Sequence, residues 1–158
     1  MYIMSFNCVL VAVPGSALSD LVVLGVGMGE ATTLDDATLP DAPAPAAFEV
    51  EGGTIIASSD IEGVFDWLPV LTATGRKTVV ATFGSTADAY SFEVYDHASL
   101  VRQWVTVAGE TVAEEGEPLL EEASCEYLDE DSLLELVEAC THSSVAFNLV
   151  GNYVNLTL

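Results

Sequence analysis

The sequence predicts an α+β fold with a mainly antiparallel sheet and two or three helices packed on it. Residues 77–122 contain three or four strand-like segments in a row, separated by short turns. Two other segments carry N-cap signals followed by apolar residues at helical spacing. Apolar residues make up 51% of the 158-residue chain, which is enough for a core and argues against disorder throughout.

The strand segments are residues 78–84, 89–95, 100–107 and, more weakly, 111–114. In the second segment Tyr90, Phe92 and Val94 alternate with polar residues, which is the pattern of a half-buried strand. The third segment is apolar on both faces and predicts a central strand covered on both sides. Turns at residues 96–99 and 108–110 join the last three segments, so we expect the sheet to be centred on residues 78–107.

The chain begins with an apolar run over residues 2–13, which we interpret as a buried strand that ends at Pro14. Ser16 is the expected N-cap of a short helix that ends near Gly25 or Gly27. The glycine-rich residues 25–29 follow this helix, whereas the glycines of a dinucleotide fingerprint precede one. We therefore interpret them as a flexible helix end and not as a nucleotide site.

Residues 30–47 are rich in proline, alanine and aspartate, which predicts an extended surface loop. The segment before this loop is too short to fold alone, so we interpret residues 1–158 as a single domain. The loop is either a plain surface connection or a partner-binding segment. Residues 48–50 and 54–58 then predict two short strands around a turn at 51–53.

Two amphipathic helices are predicted in the rest of the chain. Ser59 and Glu62 match a capping box, which predicts a helix over residues 60–71 that Pro69 kinks or ends. The second helix covers residues 129–141, with three acidic side chains at its positive N-terminal end. Closing strands are expected at residues 145–150 and 153–158, joined by a hairpin turn at 151–152.

The charge of the chain is extremely unbalanced. There are 25 acidic residues against three bases, Arg76, Lys77 and Arg102, which gives a net charge of −22. Anionic lipid and phosphate backbones repel such a surface, so we expect no membrane binding and no direct nucleic-acid binding. The apolar start lacks the basic region of a secretory signal, and three cysteines without metal spacing predict reduced thiols. These features predict a cytoplasmic protein.

Acidic residues are concentrated between Glu110 and Glu138, where the chain has 12 acids and no base. This favours a non-enzymatic binding or inhibitory protein whose surface steers toward a basic protein partner. By analogy with bacterial proteins of similar size and charge, it would block a basic toxin or a nucleic-acid-binding protein, in some cases by imitating phosphates. A solvated surface or adaptation to high salt would also explain the charge, although the large apolar fraction argues against adaptation. The residues predicted to bind the partner are Glu114, Glu115, Glu117, Glu121, Glu122, Asp129, Glu130 and Asp131.

The alternative is a small-ligand-binding domain or small enzyme with a pocket near Arg102 and Trp104. We expect Arg102 to be ion-paired, and it is also the cation to test as an anion ligand. No catalytic centre is predicted, because neither His97 nor His142 accompanies a recognisable nucleophile motif. The acidic residues 129–131 lack the ligand spacing and glycine of an EF-hand, so no metal and no cofactor is predicted.

Three short segments share a distinctive pattern: DAYSFEVY at residues 88–95, LVR at 100–102 and EEGEPL at 114–119. Over residues 78–122 this pattern resembles an uncharacterised family of small actinobacterial proteins. The resemblance implies a shared fold and a bacterial source, and it implies no activity. The chain departs from the family at residues 120–122, where the family continues with aromatic residues.

Overall fold

The computed structural model describes residues 7–23, 25–32, 45–73, 77–142 and 153–157. Within these ranges nine strands form one antiparallel sheet with three helices, which confirms the predicted α+β fold. The strands are β1 (Asn7–Pro14), β2 (Gly27–Thr32), β3 (Ala46–Val50), β4 (Gly53–Ser58), β5 (Thr78–Gly84), β6 (Ala89–Asp96), β7 (Ser99–Val107), β8 (Glu110–Glu115) and β9 (Tyr153–Thr157). The helices are α1 (Leu18–Val23), α2 (Ile61–Thr72) and α3 (Glu130–Thr141).

β1 is the central strand of the sheet, whose order is β2-β9-β3-β4-β1-β5-β6-β7-β8. Its side chains are buried on both sides. Cys8, Leu10 and Ala12 share a core with α3, and Val9 and Val11 share the opposite core with α2. This double cover explains why the run is apolar without alternation. We call the two sides of the sheet the α3 face and the α2 face.

β5 to β8 match the four predicted strand segments to within one residue at each end. The prediction that they form the centre of the sheet is wrong, because they fill one half of it and β7 is next to the edge strand β8. β7 is also covered on only one side. Arg102, Trp104 and Thr106 are buried on the α3 face, whereas Val107 is exposed on the α2 face. α2 packs chiefly on β1 and β5.

Turns join β6 to β7 and β7 to β8, as predicted, and each has only two residues. His97 and Ala98 form the first turn, and Ala108 and Gly109 form the second, all with positive φ. This left-handed backbone matches the twist of an antiparallel hairpin. Three of the four residues are not glycine, so the turns carry backbone strain that glycine would relieve.

β2 is a strand that the sequence did not predict. It occupies residues assigned to a flexible helix end and to the start of the loop, and it pairs with β9 across an irregularity between Met28 and Ala31. Its glycines are weak strand formers, so the pairing with β9 determines its conformation. The predicted loop over 30–47 is wrong at both ends, since β2 continues to Thr32 and β3 begins at Ala46. Residues 33–44 lie outside the described ranges.

The caps of α1 and α2 differ from those predicted. Ser16 does not occupy the cap position of α1, because the helix begins at Leu18, and the Ser16 hydroxyl donates to the carbonyl of Val13 in β1 at 2.8 Å. Asp60, and not Ser59, caps α2 by accepting a hydrogen bond from the backbone amide three residues on at 2.9 Å. α2 also continues past Pro69 to Thr72, with the proline ring on its exposed side.

α3 and β9 confirm the predicted helix and strand near the end of the chain. Asp129 caps α3 by accepting from the amide of Ser132 at 2.7 Å, and the Ser132 hydroxyl accepts from the Asp129 amide at 2.8 Å. Leu133, Leu136 and Val137 bury the inner side of the helix. The strand predicted at 145–150 and the turn at 151–152 lie outside the described residues. In the parts of the chain that are described, no helix has the length and apolar character to cross a membrane.

Candidate functional site

Arg102 lies on the α3 face, where its side chain donates five hydrogen bonds and is only 2% exposed. Its Nε and Nη2 donate to the two carboxylate oxygens of Glu122 at 3.1 and 2.6 Å. Its Nη1 donates to Glu114 at 2.9 Å and to the backbone carbonyls of the last residue of β8, Glu115, and of Gly116 after it. These hydrogen bonds, above all those with Glu122, raise the pKa of the Arg102 guanidinium. The expectation that Arg102 is ion-paired is therefore confirmed.

The segment that carries Glu122 turns back over the α3 face immediately after β8. Gly116 makes this turn with φ +79°, and a Cβ there would lie 1.9 Å from the carbonyl oxygen of Val101. Only glycine fits such an approach. A 3-10 turn at Leu120–Glu122 follows, where the Glu122 carboxylate also accepts from the amide of Leu119 at 2.7 Å. Glu122 thus fixes both Arg102 and the path of residues 116–123.

Trp104 lies two residues further along β7 and faces the same side as Arg102. The Arg102 guanidinium carbon is 5.8 Å from the Trp104 ring centroid, within the range of a cation–π contact. The indole nitrogen donates to the hydroxyl of Thr111 at 3.0 Å, which joins β7 to β8. A cavity of about 500 Å³ opens beside these two side chains, between β8 and residues 118–126.

The predicted partner-binding residues fall into three groups in the structure. Glu122 is buried and neutralised by Arg102, so it does not belong to the exposed surface. Asp129 and Glu130 are half-buried and have structural partners, since Asp129 caps α3 and Glu130 accepts from the hydroxyl of Ser85 at 3.2 Å. The exposed group consists of Glu114, Glu115, Glu117, Glu121 and Asp131.

The register of β8 separates two neighbouring members of the exposed group. Glu114 pairs with Trp104 and lies on the α3 face, whereas Glu115 pairs with Gln103 and lies on the opposite face. The side chain of Glu114 is 48% exposed even though one of its oxygens is bonded to Arg102. A change at Glu114 therefore disturbs the Arg102 network as well as the surface.

The structure brings the segment after β8 beside α3, which the sequence could not predict. Glu114 and Glu126 line the 500 Å³ cavity, and Glu121 and Glu135 line a smaller one of about 250 Å³. Cys125 lines both cavities, so the four carboxylates lie along one continuous stretch. We call Glu114, Glu121, Glu126 and Glu135 the acidic surface. Glu126 and Glu135 were not among the predicted partner-binding residues, although both lie in the acidic stretch from 110 to 138.

The described side chains do not form a nucleophilic or metal-binding centre. Burial raises the pKa of Cys8 and Cys140 to about 12, and it also raises the pKa of Cys125, whereas a reactive cysteine needs a lowered pKa. His97 is exposed in a hairpin turn beside Asp96, and His142 ends α3 in the left-handed conformation. Among the described residues, no three or more acidic, histidine or cysteine side chains converge in a way that could hold a metal ion.

Comparisons of this chain with protein-family models, curated proteins and solved structures gave no match. The resemblance of residues 78–122 to an actinobacterial family therefore stays a prediction.

Proposed function

We propose that this chain is a non-enzymatic binding protein whose acidic surface docks on a basic protein partner and blocks it. One observation carries the proposal. The acidic surface runs from β8 to α3, and Arg102 within it is buried and already bonded to two carboxylates, while the exposed Lys77 lines a separate cavity with Glu121 at one end of the surface. Four carboxylates against one exposed lysine at its end give this surface a predominantly negative potential.

Such a surface acts chiefly on the rate of association. Exposed charges of one sign speed the encounter with an oppositely charged partner, and salt slows it again. The same charge repels phosphate backbones, so we propose a basic protein and not a nucleic acid as the partner. What supports a cytoplasmic location is the presence of three free thiols, the state expected in a reducing compartment.

The test uses a library of displayed random peptides, selected against the wild-type protein and against a charge-reversed variant. In that variant Glu121, Glu126 and Glu135 become lysine, and Glu114 is kept because it bonds Arg102. A matched control reverses three exposed acids elsewhere, Glu51, Glu62 and Asp66, and has the same net charge.

We expect the wild-type and control proteins to enrich peptides rich in lysine and arginine, and the reversed variant to lose them. Association of an enriched peptide should slow by about tenfold or more between low and physiological salt. The proposal is wrong when the enriched peptides show no excess of basic residues, or when both triple variants bind them equally well. In the second case the net charge alone would attract the peptide.

A second candidate is a small-ligand site in the cavity beside Arg102 and Trp104, because its volume of about 500 Å³ is typical of ligand pockets. An anionic ligand is disfavoured there, because Arg102 already forms ion pairs with Glu114 and Glu122. A thermal-shift screen with small neutral and cationic compounds tests this candidate. Leu120 lies at the cavity wall, and changing it to the bulkier tryptophan should fill the cavity. If a compound raises the melting temperature of the wild type and not that of this variant, the small-ligand site is favoured over the docking of a protein.

A further inference from the structure

The cavity beside Trp104 has walls of different chemistry. Thr111 and Glu114 of β8 form one wall, and residues 118–126 form the other. Arg102 and Trp104 lie between them, both almost fully buried. The cavity is a broad depression that shares Cys125 with the neighbouring one, so it is part of the acidic surface and not an isolated pocket.

The charge of the cavity favours a cation. Glu114, Glu122 and Glu126 line it together with Arg102, so three carboxylates face one guanidinium. Arg102 is hydrogen-bonded to Glu114 and Glu122, which leaves Glu126 as an exposed carboxylate beyond that network. A second cation entering here would meet a net negative field, whereas an anion would be repelled.

The cavity also offers apolar surface next to these carboxylates. Leu120 is 91% exposed and Leu119 is half-buried, and both line the cavity on the side of the 3-10 turn. Carboxylates beside aliphatic surface suit a long basic side chain, which buries its methylene stem and keeps its charged head among oxygens. A second copy of this chain is a poor occupant, because two surfaces with the same excess of negative charge repel each other.

We infer that this cavity is the anchor for one arginine or lysine side chain of the basic partner. Glu126 and the exposed part of Glu114 bind its cationic head, and Leu120 covers its aliphatic stem. This inference rests on the proposed function and gives the acidic surface its central contact.

The test follows the fluorescence of Trp104 with an oligoarginine peptide as the probe. Trp104 and Trp67 are the two tryptophans of the chain, so the Trp67→Phe variant reports Trp104 alone. An oligocitrulline peptide of the same length is the control, because citrulline keeps the shape of arginine and lacks its charge. We expect a saturable change of Trp104 emission with oligoarginine and none with oligocitrulline.

Matched variants in this background locate the contact. Glu126→Gln should weaken oligoarginine binding by about two- to fivefold, as one partly exposed ion pair implies, whereas Glu117→Gln should not. Both positions are exposed, and only Glu126 lines the cavity. Leu120→Ser should weaken binding to a similar extent, and Val112→Ser, an exposed apolar position outside the cavity, should leave it unchanged.

The outcomes separate this inference from the proposed function. Equal binding by Glu126→Gln and Glu117→Gln, or equal binding of the two peptides, overturns the anchor at Trp104. The proposed function survives that result when the triple reversal of Glu121, Glu126 and Glu135 still abolishes binding of oligoarginine. Both fail when the triple reversal binds oligoarginine as the wild type does.

Discussion

Replacing Arg102 with methionine should destabilise the fold by about 3–5 kcal/mol, the usual cost of removing one partner of a buried ion pair. The loss comes from Glu122, which is 6% exposed and would keep only the amide of Leu119 as a hydrogen-bond donor among its described partners. For a domain of this size each kcal/mol corresponds to about 2–4 °C, so the melting temperature should fall by about 6–20 °C. Thermal unfolding followed by far-ultraviolet circular dichroism measures this change.

Two controls identify the buried pair as the cause. Glu114→Gln removes the half-exposed partner of Arg102 and should cost less than about 1 kcal/mol, because solvent screens that pair. Combining Arg102→Met with Glu122→Leu removes both buried charges and should recover part of the loss. If Arg102→Met lowers the free energy of unfolding by no more than Glu114→Gln does, the buried pair of Arg102 and Glu122 does not stabilise the fold.

Four further predictions follow from single contacts. Asp129→Ala should cost about 1 kcal/mol in urea denaturation, because the α3 amide loses its capping carboxylate. Ala98→Gly should raise the urea midpoint by the equivalent of about 1 kcal/mol, since φ is +69° at this turn residue, and no gain would argue against strain there. An alkylating reagent should label half-buried Cys125 first and Cys8 only on unfolding, because Cys8 is buried and burial raises the pKa of its thiol to about 12. Mass spectrometry of the labelled peptides measures this order. Burial also raises the pKa of Glu93 in the folded state, so the wild-type protein loses stability as the pH rises through that pKa. The melting temperature of Glu93→Gln should therefore gain on that of the wild type as the pH rises over this range. A constant difference between the two melting temperatures would show that the carboxylate is well solvated.

Local patterns in the sequence predicted the hairpin region closely. The alternation of Tyr90, Phe92 and Val94 sets which side of β6 is buried, and the turn residues between β6 and β8 set where each strand ends. The three acidic residues at 129–131 likewise predicted the start of α3, and the structure adds that Asp129 is its cap. These features depend on neighbours a few residues apart, which is why the sequence alone was sufficient for them.

The sequence was also sufficient to predict that Arg102 is ion-paired and lies near a pocket. It is one of three bases among 25 acids, so an ion pair was expected, and the predicted pocket position beside Trp104 has a cavity in the structure. Which carboxylates bind Arg102 could not be read from the chain, because Glu114 and Glu122 look the same as the acids around them. In the structure Glu122 is buried beside Arg102, whereas Glu126 is exposed.

Tertiary pairing decided the features that the sequence did not. β2 has little strand propensity of its own and forms against β9, more than a hundred residues away along the chain. β7 is apolar on both faces, yet its place next to the edge follows from strand order, which the period of a single strand does not encode. The acidic surface itself joins β8 to α3 only because residues 116–128 fold back over the α3 face. Composition and periodicity thus determined the class of the fold and its charge, while long-range packing determined which charges meet and which are neutralised inside.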